Sequence, residues 1–155
     1  MFTESWLPDD VSRFESFIGA HVLRAELVPL GALREDYFLV PPNANRVFVD
    51  PNTGIRLEPI GGARSRAFIF ARELVGLCAA DPARLVVAFD QSHPRGAEQE
   101  SLQGKMAHFR REGLSGFAYR SHASFVVLSA AESAVDTARR RLLALGLPGD
   151  RIAEA

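Results

Sequence analysis

The sequence is short of several residue types and segments, and each shortage excludes something. It has one cysteine, Cys78, and an intramolecular disulfide needs two. Cys78 lies in the apolar run LVGLCAA, the setting of a small buried hydrophobe rather than of a reactive thiol. The four histidines, at 21, 93, 108 and 122, contain no i, i+4 pair, and no Cys/His cluster has zinc spacing. Neither a metal nor a cofactor is therefore expected. No run reaches the about 18 apolar residues that a membrane-spanning helix needs, and MFTESWLPDD carries acids where a signal peptide would be basic and then apolar. A cytoplasmic location with no membrane partner is the expectation.

Lysine is almost absent too. Lys105 is the one lysine among 18 basic residues, and the net charge is −1. Residues 1–60 carry a balance of −4 and the remainder +3, a polarity too mild for a nucleic-acid footprint. Arg139, Arg140 and Arg141 fall mostly on the side of their helix away from Ala134, Val135, Ala138 and Leu142, so a solvated face accounts for them. Nucleic acid is not expected as a partner.

What is present suffices for one core. With 155 residues, 47% of them hydrophobic, the chain reads as a single domain, 1–155, whose N-terminal portion covers residues 1–82 and whose remainder covers 83–155. An amphipathic helix is expected at 8–20, with Asp9 and Asp10 in its first turn and Val11, Phe14 and Ile18 on one face. Trp6 and Phe2 before it are expected to cover the edge of the core. HVLRAELVPL and EDYFLVPP read as strands, and RVFVDPNTGIRLEP as a β-hairpin turning at Asp50-Pro51-Asn52-Thr53-Gly54. Gly61-Gly62 then opens a buried helix over about 63–79, stopped by Asp81-Pro82. A phosphate loop at Gly61-Gly62-Ala63-Arg64-Ser65-Arg66 would need a lysine and a spacing that are missing.

From residue 83 the pattern is cleaner: strand 85–89, helix 98–112, strands 115–120 and 124–128, helix 131–145 and a short strand near Ile152. Ser129 to Glu132 has the form of a capping box, and both helices close on Gly-Leu, at Gly113-Leu114 and Gly146-Leu147. The order predicts an α+β fold: a ferredoxin-like β-α-β-β-α-(β) sandwich over about 83–155, with the N-terminal helix, hairpin and buried helix extending the sheet.

That topology bears on FDQSHPRG, residues 89–96. In it the first two strands point the same way with the third between them, so the loop after the first strand and the following hairpin share one rim. Asp90, Ser92, His93 and Arg95 would then meet Arg120, Ser121 and His122 near a helix N-terminus. Two chemistries fit. Ser92, Arg95, Arg120 and Ser121 suit recognition of a small anion. Alternatively Asp90 would orient one of the two imidazoles, with His93 and His122 as acid and base of a hydrolase or other acid/base enzyme. Against both stands the simpler reading of a polar turn shaped by His93-Pro94.

Three resemblances follow from these residues. HASF at 122–125 resembles half of the paired His-x-Ser/Thr signature of two-histidine phosphoesterases, with no second copy present. RVFVDPNTGIRLEPIG, LVVAFDQSHP and ASFVVL, over about 46–150, resemble a family of short uncharacterised bacterial domains in which a strand runs into a Thr-Ala-x-Asn-Pro-x-Ser loop; Val87, Asp90 and Gln91 stand where that family has Thr, Asn and Pro. The family has no established activity, so the resemblance implies an architecture and a loop, without a reaction. The β-α-β-β-α-β order is also similar to that of peptidoglycan-binding sporulation-related repeats, which are exported. The expectation from all of this is a binding protein for a partner protein or a small anionic ligand, compatible with a homodimer.

Overall fold

The structure, a computed structural model, describes residues 8–154 apart from 30 and 32. The expectation for Phe2 and Trp6 lies outside the described residues. The chain divides into two compact units, Met1–Val40 and Pro41–Ala155.

In the first unit α1 spans Pro8–Ile18 and α2 is one turn, Arg34–Tyr37. Gly19, at φ +63°, follows α1, and its N–H donates to the Glu15 carbonyl. The two strands expected here do not form among the described residues. Their backbone is tied locally instead: Val22 N–H donates to the Glu15 carboxylate at 2.7 Å, and the Tyr37 hydroxyl to the Glu26 carbonyl. β-branched residues favour a strand only where a neighbouring strand and a half-buried face await them.

The second unit is built on a five-stranded sheet. Its strands are β1 (Arg46–Val49), β4 (Leu85–Asp90), β5 (Ser115–Arg120), β6 (Ser124–Ser129) and β7 (Ile152–Glu154), in the order β1-β4-β6-β5-β7. β1 runs parallel to β4; β6 is antiparallel to β4 and β5, and β7 to β5. A separate two-stranded parallel sheet pairs β2 (Gly54–Arg56) with β3 (Phe68–Phe70).

This arrangement corrects two expectations for the N-terminal half of the chain. The hairpin at residues 46–59 does not form, since β1 and β2 belong to different sheets. Thr53 shows why: its N–H donates to Ala67 O at 2.8 Å and its carbonyl accepts from Gln91 N–H at 3.0 Å, so the turn is held by distant segments. The single helix expected over 63–79 is three elements, a 3-10 turn at Ala63–Ala67, then β3, then α3 at Ala71–Ala79. Phe68, Ile69 and Phe70 are all buried, and a run of large side chains buried on both faces suits a strand. The Glu73 carboxylate accepts from Phe70 N–H at 2.8 Å and so starts α3.

From Leu85 onward the elements follow the pattern of the sequence, with α4 at Glu98–Arg111 and α5 at Glu132–Ala144. Both helices end in a left-handed glycine at φ +80°. Leu114 N–H reaches back to Phe109 O and Leu147 N–H to Leu142 O, the bonds of a Schellman close. The capping box at Ser129 is not made. Ser129 Oγ instead accepts from Ala131 N–H at 3.1 Å and donates to Pro82 O at 3.2 Å.

The fold is α+β, and it departs from the ferredoxin-like order at the sheet edges. In that order the last strand lies beside the first; here β7 lies beside β5, and β1 occupies the place next to β4. The consequence is a helix on each face. α4 and α5 each cross over one strand in the same direction, but β4 and β6 point opposite ways, so right-handed crossings send them to opposite sides. Adjacent residues of β5 show it. A Cβ at Gly116 would lie 3.0 Å from Met106 of α4, whereas Phe117 packs with Val135, Ala138 and Leu142 of α5. The α4 side is the deeper: Val86, Ala88, Ala118, Val126, Leu102 and Phe109 are at most 1% exposed. Each fully buried phenylalanine there is worth about 2–3 kcal/mol.

Candidate functional site

β4 places Asp90. Val86 and Ala88 alternate inward on the α4 side, and Asp90 continues that face at the end of the strand with no exposed surface. A carboxylate there must be matched by donors. Oδ1 accepts from Ile55 N–H at 2.9 Å, Ser92 N–H at 3.0 Å and the Ser92 hydroxyl at 2.6 Å; Oδ2 accepts from Lys105 Nζ at 2.6 Å. Oδ1 carries three of these contacts and Oδ2 one.

Lys105 comes from α4, on the stripe of Leu102, Met106 and Phe109, all buried. Besides Asp90 its ammonium donates to Ser92 Oγ at 2.9 Å. Burial pulls its pKa below the ordinary lysine value, the charge and hydrogen bond of Asp90 oppose that, and the nearby Arg56 charge adds to it. The Ser92 hydroxyl has one proton and two acceptors at 2.6 Å, Ile55 O and Asp90 Oδ1. A serine beside a lysine is the outline of a nucleophile and its base. Here the lysine is anchored on a carboxylate and the hydroxyl proton is engaged, so the group stitches β4, β2 and α4 together.

His93 closes the cluster. Its side chain is 7% exposed, Nδ1 lies 3.1 Å from Ser101 Oγ, and Nε2 lies 3.5 Å from Asp90 Oδ2 without a hydrogen-bond partner. Burial lowers the imidazole pKa, with the Asp90 charge working against it. Gly54 lets the backbone of β2 approach: at φ +132°, its Cβ would stand 2.2 Å from Asp90 Oδ1.

The strand register brings the two corners expected to be neighbours to one level, with Asp90 paired to Ser124 and Ser124 to Arg120. Arg120 stands on the same side of the sheet as Asp90, two strand spacings or about 10 Å away. Its Nε is buried and has no hydrogen-bond partner among the described residues, and the same holds for Arg56 Nε, one residue beyond Ile55. Arg56 also lies over the Phe68 ring, 5.4 Å from its centroid.

The remaining expected residues are peripheral. Ser121 and His122 are exposed in the β5–β6 turn, where Ser121 N–H donates to Ala123 O at 2.8 Å. Arg95 is exposed in the turn before α4, near enough to Glu98 to lower that carboxyl's pKa, though less than the backbone N–H groups do. Lys105, Ser101, Arg56 and the β2 backbone join the site without having been expected from the sequence. Lys105 does carry a signal: it interrupts an apolar helix stripe in a chain that otherwise uses arginine. The β2 residues carry none.

Among the described residues no three His, Cys, Asp or Glu side chains gather as a metal site, and no helix is long and apolar enough to cross a membrane. Cys78 is fully buried, and burial pushes its thiol up to about 12. No protein-family model, curated protein or solved structure matches the chain.

Proposed function

We propose that the protein acts by binding, and that the rim formed by the end of β4, β2 and the β5–β6 turn recognises a small anionic group. The observation that carries this reading is the pair of buried arginine Nε donors, on Arg56 and Arg120, that have no hydrogen-bond partner among the described residues. An anion supplies the acceptors that these two Nε donors lack. In this reading Ser92 shapes the loop, while the exposed Arg95, Ser121 and His122 contact the outer part of a ligand.

The acid/base reading through Asp90, His93 and His122 is less well supported. Asp90 is already engaged by Ile55, Ser92 and Lys105, the His93 side chain is buried, and His122 is exposed.

The test is a thermal-shift series with inorganic phosphate, nucleotides and dicarboxylates on the full chain and on an Arg56→Gln, Arg120→Gln double variant. A ligand at about 100 times its Kd adds about 2.7 kcal/mol, a Tm rise of roughly 5–10 °C. The rise is expected in the wild type and not in the double variant. Equal shifts in both, or none with any of these anions, would overturn the reading. Catalysis would instead appear as phosphoester or ester hydrolysis abolished by His93→Ala.

A further inference from the structure

The opposite face of the sheet carries a second feature that the rim does not explain. α5 covers only a portion of it. Beside the helix lies an open groove of about 830 Å³, floored by Leu85, Val87, Phe125 and Val127 and walled by Ala138 and Leu142. That volume lies in the range of sites that enclose a small organic ligand in a largely apolar lining with a few polar groups. The floor continues outward, for Phe48 of the edge strand β1 stands beside Val87 in register and is 55% exposed.

The charge of the lining is one-sided. Arg46 and Arg141 border the groove and, among the described residues, no aspartate or glutamate does, although the chain as a whole has a net charge of −1. The two arginines lie toward different ends. Arg46 pairs in register with Leu85 at the start of β4, near the point where Ala131 N–H donates to Pro82 O and α5 begins. Arg141 is ten residues further along the chain than Ala131, about 15 Å at the helical rise. The groove is thus an apolar trough with a cation toward each end.

We infer that this groove binds an amphipathic carboxylate, a molecule with an extended apolar body on the Leu85–Val87–Phe125 floor and a terminal carboxylate paired with an arginine at the groove's end. The apolar body gains from burial against a preformed surface, and the arginine selects the anion over the corresponding alcohol or amine. A cationic amphiphile would meet like charge at either end.

The probes are dodecanoate, dodecanol and dodecylamine, each below its aggregation threshold, titrated calorimetrically into the full chain. Dodecanoate is expected to bind, and the alcohol at least about tenfold more weakly. Arg46→Gln with Arg141→Gln, both exposed positions that leave the core intact, is expected to reduce dodecanoate binding to the level of dodecanol. Thr137→Phe, which fills the trough, is expected to abolish binding of both, and its circular dichroism and Tm report whether it folds. The rim double variant Arg56→Gln, Arg120→Gln is expected to bind dodecanoate unchanged, which separates this site from the proposed anion rim. Equal affinity for the three probes, no binding of dodecanoate, or binding indifferent to Arg46 and Arg141 would overturn the inference. Capture of an acidic amphipathic peptide without dodecanoate binding would overturn it too, in favour of a protein partner.

Discussion

Lys105 Nζ lies 2.6 Å from Asp90 Oδ2, and both side chains are buried. The pair joins the only lysine of the chain to the last residue of β4, and through Asp90 Oδ1 it also holds Ile55 of the second sheet. A buried ion pair is weak evidence of net stabilisation, but removal of one partner leaves the other charged in a dry interior. Lys105→Met is therefore expected to cost about 3–5 kcal/mol, roughly a 10 °C fall in Tm. Adding Asp90→Asn should recover much of that loss. Denaturant unfolding of the two single variants and the double measures the coupling, and a Lys105→Met loss below about 1 kcal/mol would show that the pair does not hold the corner together.

Gly54 tests the same clamp from the backbone side. Gly54→Ala brings a methyl group to 2.2 Å from Asp90 Oδ1 and 2.8 Å from Gln91 N, in a backbone conformation that L residues rarely adopt. A destabilisation on the order of 3 kcal/mol is expected. Gly113→Ala, a control at the φ +80° close of α4 with open space around it, should cost only about 1 kcal/mol.

His93 gives the pH dependence. Its folded pKa is lowered by burial, so the folded protein takes up this proton only at a lower pH than the unfolded chain does. Between the ordinary histidine value near 6.5 and the depressed folded value, the unfolded chain holds more protons, and stability falls as pH falls through that window. Tm measured from pH 8 down to 5 should decline more steeply for the wild type than for His93→Gln. A wild-type profile parallel to the variant's would contradict the assignment.

Arg84 is a buried cation with no carboxylate partner among the described residues. At 1% exposure, its guanidinium donates to Ala44 O at 2.8 Å, Leu77 O at 3.0 Å and Pro41 O at 3.4 Å. It closes the C-terminal end of α3 and ties down the segment before β1, in accord with the helix dipole. Arg84→Met is expected to cost about 3 kcal/mol, read by chemical denaturation, because three carbonyls lose a charged donor and that of Leu77 stays buried.

How far this fold was legible depended on whether each element was specified locally. β4, β5, β6, α4 and α5 were, because Gly113, Gly146 and the apolar run LVVAF fix their bounds without outside help. Residues 46–70 were not. RVFV pairs in parallel with β4, some forty residues on, and GIR with β3, so the turn sequence DPNTG joins strands that never pair. The candidate rim was half legible for the same reason. Asp90 and Arg120 came from the β4–β6–β5 register, whereas Arg56 arrives through a long-range contact of β2, and Lys105 through an α4 stripe whose burial only the packing reveals. Both edge strands were expected, but not their places, because nothing in Arg46–Val49 or Ile152–Glu154 says which side of the sheet will accept it.

The claim that the Arg56–Arg120 rim holds an anion is tested most directly by following the two arginine Nε–H resonances in a ¹⁵N-labelled sample during a phosphate titration. Both are expected to shift and saturate together, with slower solvent exchange as each donor gains an acceptor. Resonances that stay in place up to millimolar phosphate and pyrophosphate, while the protein remains folded, would contradict the account.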